Sequence, residues 1–364
     1  MVLFYTDNSG RRFSGFDKDM ETKNKSLAGS VLRFALKFGV AAAVVVWLIR
    51  SNSGQIIRSF QTFNYWWLIP ATVFYALHIA VAAWRWRMLA QVLGVKMSGM
   101  EAFSLTMQGY FFSLVIPGGA VGGDVIKMTA VSRRLQNGSR MEGAFSVLMD
   151  RIVGMLALFI PVLIMIYPAR HLLYIPQLPE YLNGMVLAWV IAGICLAGSA
   201  AGIAVFFHRQ FEKIPGVKPL LAFLDRRTGG MVTRVLGATD VYGGNWQTLV
   251  KMVLTSVPGV HLLTVVPMYF LLAGTGSSCN WFTVLAALMV GNLVGLIPLF
   301  PGGIGGRDVT VIALLVAGGV SAGNAETAQL LYTGVMMVCY MAGGMFFVFD
   351  PGRKLKSAGE KTDE

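Results

Sequence analysis

Charged side chains are scarce in this sequence. They make up 13% of its 364 residues, about half the share usual in a soluble globular chain. With 55% hydrophobic residues and a mean hydropathy of +0.63, that scarcity excludes an ordinary soluble domain and sets an integral membrane protein as the expectation. Cysteine is scarce too: Cys195, Cys279 and Cys339 lie far apart, in or beside apolar segments. They have neither the spacing of a metal site nor the pattern of a disulfide framework. No H-E-x-x-H, Walker A or C-x-x-C motif occurs, and Ser, Cys and His form no triad-like arrangement. No catalytic residue, metal ligand or cofactor is therefore expected. The longest polar stretch, 208–248, is too short for a soluble catalytic domain. The charge that exists is mostly positive, a net +12. Nucleic acid is not the expected partner, because the basic residues lie between hydrophobic spans. Cytoplasmic loops held near anionic headgroups account for them better.

What the sequence does have is apolar length. Six segments suffice to cross about 30 Å of hydrocarbon: Val31–Ile49, Trp66–Trp84, Ala144–Ile166, Gly184–Phe207, Leu249–Leu272 and Glu326–Phe349. The first run follows a polar leader, so no cleavable signal peptide is expected and the run stays as a span. Two further apolar regions, Ala102–Val131 and Trp281–Val320, are interrupted in the middle. Each half is short for a crossing, which predicts re-entrant hairpins that enter and leave on one side. With the N-terminus in the cytoplasm, the predicted inner segments hold 22 Lys and Arg and the outer ones 3, as the positive-inside rule requires. Ten full spans would place both termini on the same side, so loop charge leaves the two arrangements open. Gly216–Gly244, basic with a Leu220–Leu224 apolar run, predicts an interfacial helix.

The interruptions are one motif used twice. Pro117-Gly118-Gly119-Ala120-Val121-Gly122-Gly123-Asp124-Val125 returns as Pro301-Gly302-Gly303-Ile304-Gly305-Gly306-Arg307-Asp308-Val309, 184 residues later and without a gap. Pro and Gly break helices, and Asp is costly in hydrocarbon. Such backbone is tolerated in a bilayer only where protein or a water-filled cavity surrounds it. Its presence in both halves points to a transport site at a repeat interface. The same offset carries Trp66–Trp84 onto Leu249–Leu272, and Ala144–Ile166 onto Glu326–Phe349. Each half then reads as two spans, a broken hairpin and a third span. Three crossings per half invert the second half. The expected fold is an all-α membrane protein organised as a leader (1–30), a first repeat (31–166), an external loop (167–183), a second, inverted repeat (184–350, with the basic loop 208–248 inside it) and a cytoplasmic tail (351–364).

Candidate substrate-binding residues follow from the motif. Gly118, Gly119, Gly122 and Gly123, with Gly302, Gly303, Gly305 and Gly306, would bring bare backbone N–H groups close to an anion at the start of the following helix. Lys127, one turn after Asp124, and Arg307 would pair with a phosphate. On the competing reading, the glycines only permit tight packing and Asp124 and Asp308 only cap helices. Asp150-Arg151 divides the same way: both face a cavity, or Arg151 snorkels with Asp150 as its partner. Arg85-Trp86-Arg87 reads as a set of snorkelling anchors closing the second span. His78 and His261 read as hydrogen-bonded packing residues.

Phe112–Gly119 followed by Gly122–Lys127, Arg85-Trp86-Arg87, Asp150–Gly154 and Phe300–Gly305 together resemble the flippase-like family named after the transmembrane region of lysylphosphatidylglycerol synthase. The resemblance covers roughly residues 30–350. It implies a bacterial or archaeal multi-pass inner-membrane protein; the charge count places both termini in the cytoplasm. In two-domain relatives this region moves lysyl-phosphatidylglycerol between leaflets after a separate cytosolic domain makes it. No such aminoacyl-transfer domain is read in this sequence, and Leu331-Tyr332-Thr333 stands where relatives often carry Arg after Leu-Tyr. The expected function is translocation of a phospholipid or polyprenyl-phosphate lipid with a charged headgroup. Two alternatives stay open: a membrane subunit of a lipid-modifying enzyme in an aminoacyl-phospholipid or lipid-linked sugar pathway, and a scaffold. A separate lipid-synthesis enzyme is the expected protein partner.

Overall fold

A computed structural model describes residues 53–116, 120–134, 140–174, 179–211, 217–227, 229–297 and 304–349. The leader, the Val31–Ile49 span, the tail, both Pro-Gly-Gly turns and their residues Gly118, Gly119, Gly302 and Gly303 lie outside them. The described chain is helical, with no strand among its residues. Helix α1 is Ser53–Thr62, α2 Leu68–Val92, α3 Gly99–Val115, α4 Ala120–Arg134, α5 Arg140–Met165 and α6 Met185–Phe206. Then come α7 Val217–Arg227, α8 Met231–Gly244, α9 Trp246–Ser256, α10 Val265–Gly274, α11 Trp281–Gly295, α12 Gly306–Ala317 and α13 Ala322–Val348.

Five helical stretches are long and apolar enough to cross a membrane: Tyr65–Val92, Met141–Met165, Met185–Phe206, Trp246–Gly274 and Ala322–Val348. They match the five expected spans that fall on described residues. The Tyr65–Val92 stretch runs eight residues past Trp84, with Arg85 and Trp86 buried inside the protein. The Trp246–Gly274 stretch is not one regular helix. Pro258 lacks an N–H, and α9 passes through a π turn (Val257–His261) and a 3₁₀ turn (Leu262–Thr264) before α10.

The interrupted regions form two helix pairs, α3/α4 and α11/α12. In the first, Gly109 faces Lys127 while Ser113 faces Gly123, so the arms run antiparallel. A Cβ on Gly123 would lie 2.2 Å from the carbonyl oxygen of Gly109, so the arms touch backbone to backbone. In the second, Gly291 faces Val311 and Thr283 faces Gly318, again antiparallel. A capping box between Ser98 and Glu101 starts α3, and the Asn280 side chain caps α11 by accepting from Phe282 N. The four arms, of 17, 15, 15 and 12 residues, extend about 25, 22, 22 and 18 Å at 1.5 Å per residue, each short of the hydrocarbon thickness.

Helix α13 touches both pairs. Near its C-terminal end Phe346 packs on Phe103, close to the start of α3, and a Cβ on Gly343 would meet the Met107 carbonyl oxygen at 2.1 Å. Its N-terminal end begins at Ala322, five residues after α12 closes at Ala317. The open end of α3/α4 therefore lies at one end of α13 and that of α11/α12 at the other. Outside the bundle, Tyr242 on α8 donates to the Leu89 carbonyl oxygen over 2.8 Å, tying the 217–244 helices to the end of α2.

Candidate functional site

A cavity of about 270 Å³ opens where the α3/α4 pair meets α2, α5, the π turn, the end of α11 and α13. It is smaller than the roughly 300 Å³ at which small-molecule sites begin, room for a headgroup but not for acyl chains. Helical periodicity builds its walls. Thr106, Gly109, Tyr110 and Ser113 lie at i, i+3, i+4 and i+7 on α3, one continuous stripe. Asp124 and Lys127 are one turn apart on α4, and Asp150 and Gly154 one turn apart on α5. Arg85 comes from α2, His261 from the π turn, Leu296 from the tip of the second pair, and Tyr340 from α13.

Five charges converge here. Arg85 donates from Nε to Asp150 Oδ1 at 2.8 Å and from Nη1 to Ser256 Oγ at 3.4 Å. Lys127 Nζ stands 3.9 Å from Asp150 Oδ2 and 3.7 Å from the centroid of the Trp86 ring, a cation–π contact. Arg151 donates from Nε to Asp124 Oδ2 at 2.8 Å, and its Nη2 donates to the same oxygen. Side-chain exposure separates the two groups. Arg85, Lys127 and Asp150 are 8%, 8% and 14% exposed, whereas Arg151 and Asp124 are 34% and 29%. The Arg151–Asp124 pair forms the mouth and the Arg85–Asp150–Lys127 triad the interior. Asp150 lies ten residues into α5 and six, about 9 Å, into the expected span. Charges inside a span persist only when paired or lining a cavity.

Arg307 and Asp308 stand elsewhere. They are 7% and 5% exposed and are not part of the cavity wall. Arg307 donates from Nη2 to Asp308 Oδ1 at 2.9 Å and to Thr333 Oγ1 at 3.1 Å. Gln329 Nε2 donates to Asp308 Oδ1 at 2.7 Å, while Asp308 Oδ2 accepts from Gly305 N at 3.1 Å. The last bond is the capping role weighed for Asp308, and Gly305 makes it with φ +100, a conformation suited to glycine. The cluster fixes the start of α12 to α13. Its link to the cavity is aromatic: Tyr332 packs on Tyr75, Tyr75 on Tyr340, and Tyr340 stacks on Tyr110.

The structure thus brings Asp124, Lys127, Asp150 and Arg151 together at one cavity, with Gly123 beneath them as a packing contact and Gly122 half-buried in the first turn of α4. Gly305, Gly306, Arg307 and Asp308 belong to the second cluster. Asp150 and Arg151 are not each other's partners: adjacent on a helix, they point to different neighbours. The reading of Arg85-Trp86-Arg87 as interfacial anchors is corrected. Arg85 and Trp86 are 7% and 0% exposed, and Trp86 donates from Nε1 to Ser146 Oγ; only Arg87 is half-buried, donating to the Met97 carbonyl oxygen. Sequence position alone hid this, since an Arg at a span end snorkels or turns inward according to its tertiary neighbours. His78 bonds the Tyr75 carbonyl oxygen, as read. His261 bonds the Gly154 carbonyl oxygen at 3.0 Å and also lines the cavity. Thr106 and Tyr340 carried no sequence signal. Among the described residues no group of His, Cys, Asp and Glu is arranged to hold a metal ion.

Comparison with known proteins finds similarity to membrane proteins. The family model described as the lysylphosphatidylglycerol synthase TM region matches residues 34–344. A UPF0104 membrane protein of Pyrococcus horikoshii is 22% identical over 275 residues, 72% of this chain and 81% of that protein. Another, of Methanothermobacter thermautotrophicus, is 21% identical over 305 residues, 80% of this chain and 87% of that protein.

Proposed function

This chain belongs to the family of the lysylphosphatidylglycerol synthase transmembrane region, and from that premise we propose that it is a lipid translocase, moving a lipid with a charged headgroup between leaflets. The observation that carries the reading is the convergence of Arg85, Asp124, Lys127, Asp150 and Arg151 on one headgroup-sized cavity deep in a hydrophobic helix bundle. The headgroup crosses the Arg151–Asp124 mouth, exchanges water for the interior charges, and leaves its acyl chains in lipid. The two short helix pairs act as re-entrant hairpins of an inverted repeat. Their opposite orientation along α13 supports that arrangement, which suits alternating access. Arg307 and Asp308 serve it by holding the second hairpin on α13. No chemical step is assigned to any residue. A separate enzyme supplies or consumes the lipid. The Lys and Arg asymmetry of the loops supports a multi-pass placement with both termini in the cytoplasm.

The test is leaflet exchange of a tail-labelled phosphatidylglycerol in proteoliposomes, read by quenching of the outer leaflet with a membrane-impermeant reductant. Exchange should be fast with the wild-type chain, and Asp124→Ala should bring it to the rate of protein-free vesicles while the variant still elutes as a folded species. Exchange no faster with wild type than in empty vesicles would remove the proposal.

A further inference from the structure

Building on the translocase reading, we infer that the cavity recognises a lipid whose phosphate is its only headgroup charge, with Lys127 and Thr106 as the ligands, and that it disfavours a headgroup bearing a net positive charge.

The first ground is the charge count at the wall. Arg85, Lys127 and Arg151 face Asp124 and Asp150, three cations to two carboxylates, leaving one positive charge in a low-dielectric cleft. Such a cleft concentrates anions and repels cations. The second ground is how the charges are used. Each carboxylate already accepts a charge-assisted hydrogen bond from an arginine, Asp150 from Arg85 and Asp124 from Arg151. Lys127 differs. Its ammonium is 3.9 Å from the nearest carboxylate oxygen, beyond hydrogen-bond range, and rests on the face of Trp86 instead. An ammonium carries three donors, so Lys127 brings donors to the cavity together with its charge.

The third ground is independent of charge. Thr106, 5% exposed, lines the same cavity, and its Oγ1 is buried without a hydrogen-bond partner among the described residues. A buried hydroxyl left unmade costs free energy until something in the cavity meets it. A phosphate in the cavity offers acceptor oxygens to both, to the Thr106 hydroxyl and to the Lys127 ammonium. A lysyl or other cationic headgroup would bring its own ammonium against Lys127 and find both carboxylates engaged.

Two lipid classes share this chemistry, phosphatidylglycerol as a phosphodiester and a polyprenyl phosphate as a phosphomonoester. The experiment compares both with lysyl-phosphatidylglycerol, each added to phosphatidylcholine vesicles holding the full chain. Binding is read by native mass spectrometry and translocation by leaflet exchange. One or both anionic lipids should bind at least tenfold tighter than the lysyl lipid and exchange correspondingly faster; which of the two leads identifies the source of the phosphate. Lys127→Gln and Thr106→Val should each weaken anionic binding, Lys127→Arg should retain it, and Lys127→Glu, which reverses the excess charge, should shift preference toward the lysyl lipid. Equal or tighter binding of the lysyl lipid by the wild type overturns the inference, whether or not exchange occurs. Anion-selective, Lys127-dependent binding without any exchange leaves the selectivity standing and removes the translocase reading.

Discussion

Arg85 and Asp150, 65 positions apart in sequence, meet through a 2.8 Å bond from Nε to Oδ1 at the inner end of the cavity. The contact joins the last turns of one membrane helix to the middle of another and leaves Lys127 at the second carboxylate oxygen. Both side chains are largely withdrawn from solvent. Removing Arg85 strips Asp150 of its charge-assisted hydrogen bond and leaves it facing Lys127 alone, a loss of about 1.5–3 kcal/mol. Arg85→Ala should therefore lower the Tm in detergent sharply as well as abolish exchange. Replacing the whole triad by apolar residues, as in Arg85→Met with Asp150→Leu and Lys127→Met, should restore most of the Tm without restoring exchange. Full activity of the triple variant would show that the triad serves folding alone.

Gly154 gives a gentler handle on the same arginine. A Cβ there would stand 3.2 Å from Arg85 Nη2 and 3.3 Å from Nη1. Gly154→Val should push the guanidinium off Asp150, with exchange falling more than stability. The check is to compare exchange rate and Tm in one preparation. An unchanged rate would mean that Arg85 is free to move without consequence.

Gly123 is where the arms of the first helix pair touch. A Cβ on it would lie 2.2 Å from the Gly109 carbonyl oxygen, and backbone cannot yield as a side-chain tip can. Gly123→Ala should cost about 1–3 kcal/mol of stability by overpacking. Gly193, on the open side of α6 with nothing within 4 Å of an added Cβ, is the control. Gly193→Ala should leave the Tm unchanged or slightly raised. Equal effects at the two positions would remove the close-packing account of the motif glycine.

Much of this molecule was legible in its sequence because hydrocarbon imposes few solutions. Helix length and the setting that the Pro-Gly-Gly interruptions require follow from backbone hydrogen bonding in lipid, and the five described spans stand where hydropathy places them. Asp124 and Lys127 were legible because ionisable groups in such surroundings need a reason. The role of Arg85 was not, since inward and snorkelling arginines share the same local sequence and differ only in what faces them. Thr106 was invisible for a related cause: a threonine is unremarkable until its hydroxyl is found buried without a partner. The unlike roles of the two motif copies were hidden too. Asp308 has Arg307 beside it in sequence, whereas the matching neighbour of Asp124 is Gly123, so one aspartate is satisfied within its own motif and the other by Arg151 on the next helix.

That difference predicts unlike phenotypes for the two aspartates. Asp308 gathers bonds from Arg307, Gln329, Thr333 and the backbone at Gly305. Asp308→Ala should unfold or strongly destabilise the protein, with Thr333→Val costing about 1.5–3 kcal/mol, since its hydroxyl donates to Asp308 and accepts from Arg307. Asp124→Ala, at the more exposed mouth, should lose exchange with a smaller fall in Tm. Thermal melts and exchange rates on the set check the split, and a stable but inactive Asp308→Ala would instead give Arg307 and Asp308 a direct part in transport.

The last prediction concerns how the helix pairs sit in the bilayer. If each were two full crossings, the connection near Ile116 would emerge at the face opposite the open end of the pair, and a cysteine there would react quickly with a membrane-impermeant maleimide from that face. The arms argue otherwise: at 17 and 15 residues they reach about 25 and 22 Å, less than the roughly 30 Å of hydrocarbon, and the polar groups of the bend need protein or trapped water around them. In a background with Cys195, Cys279 and Cys339 replaced by Ala, Ile116→Cys should label slowly from both faces, while Ser98→Cys, at the open end, labels quickly from one. Adding an anionic lipid that occupies the cavity should slow Ile116→Cys further if access to it runs through the Arg151–Asp124 mouth. Rapid labelling of Ile116→Cys from the face opposite Ser98→Cys would convert the hairpin into two crossings and remove the re-entrant geometry on which alternating access depends.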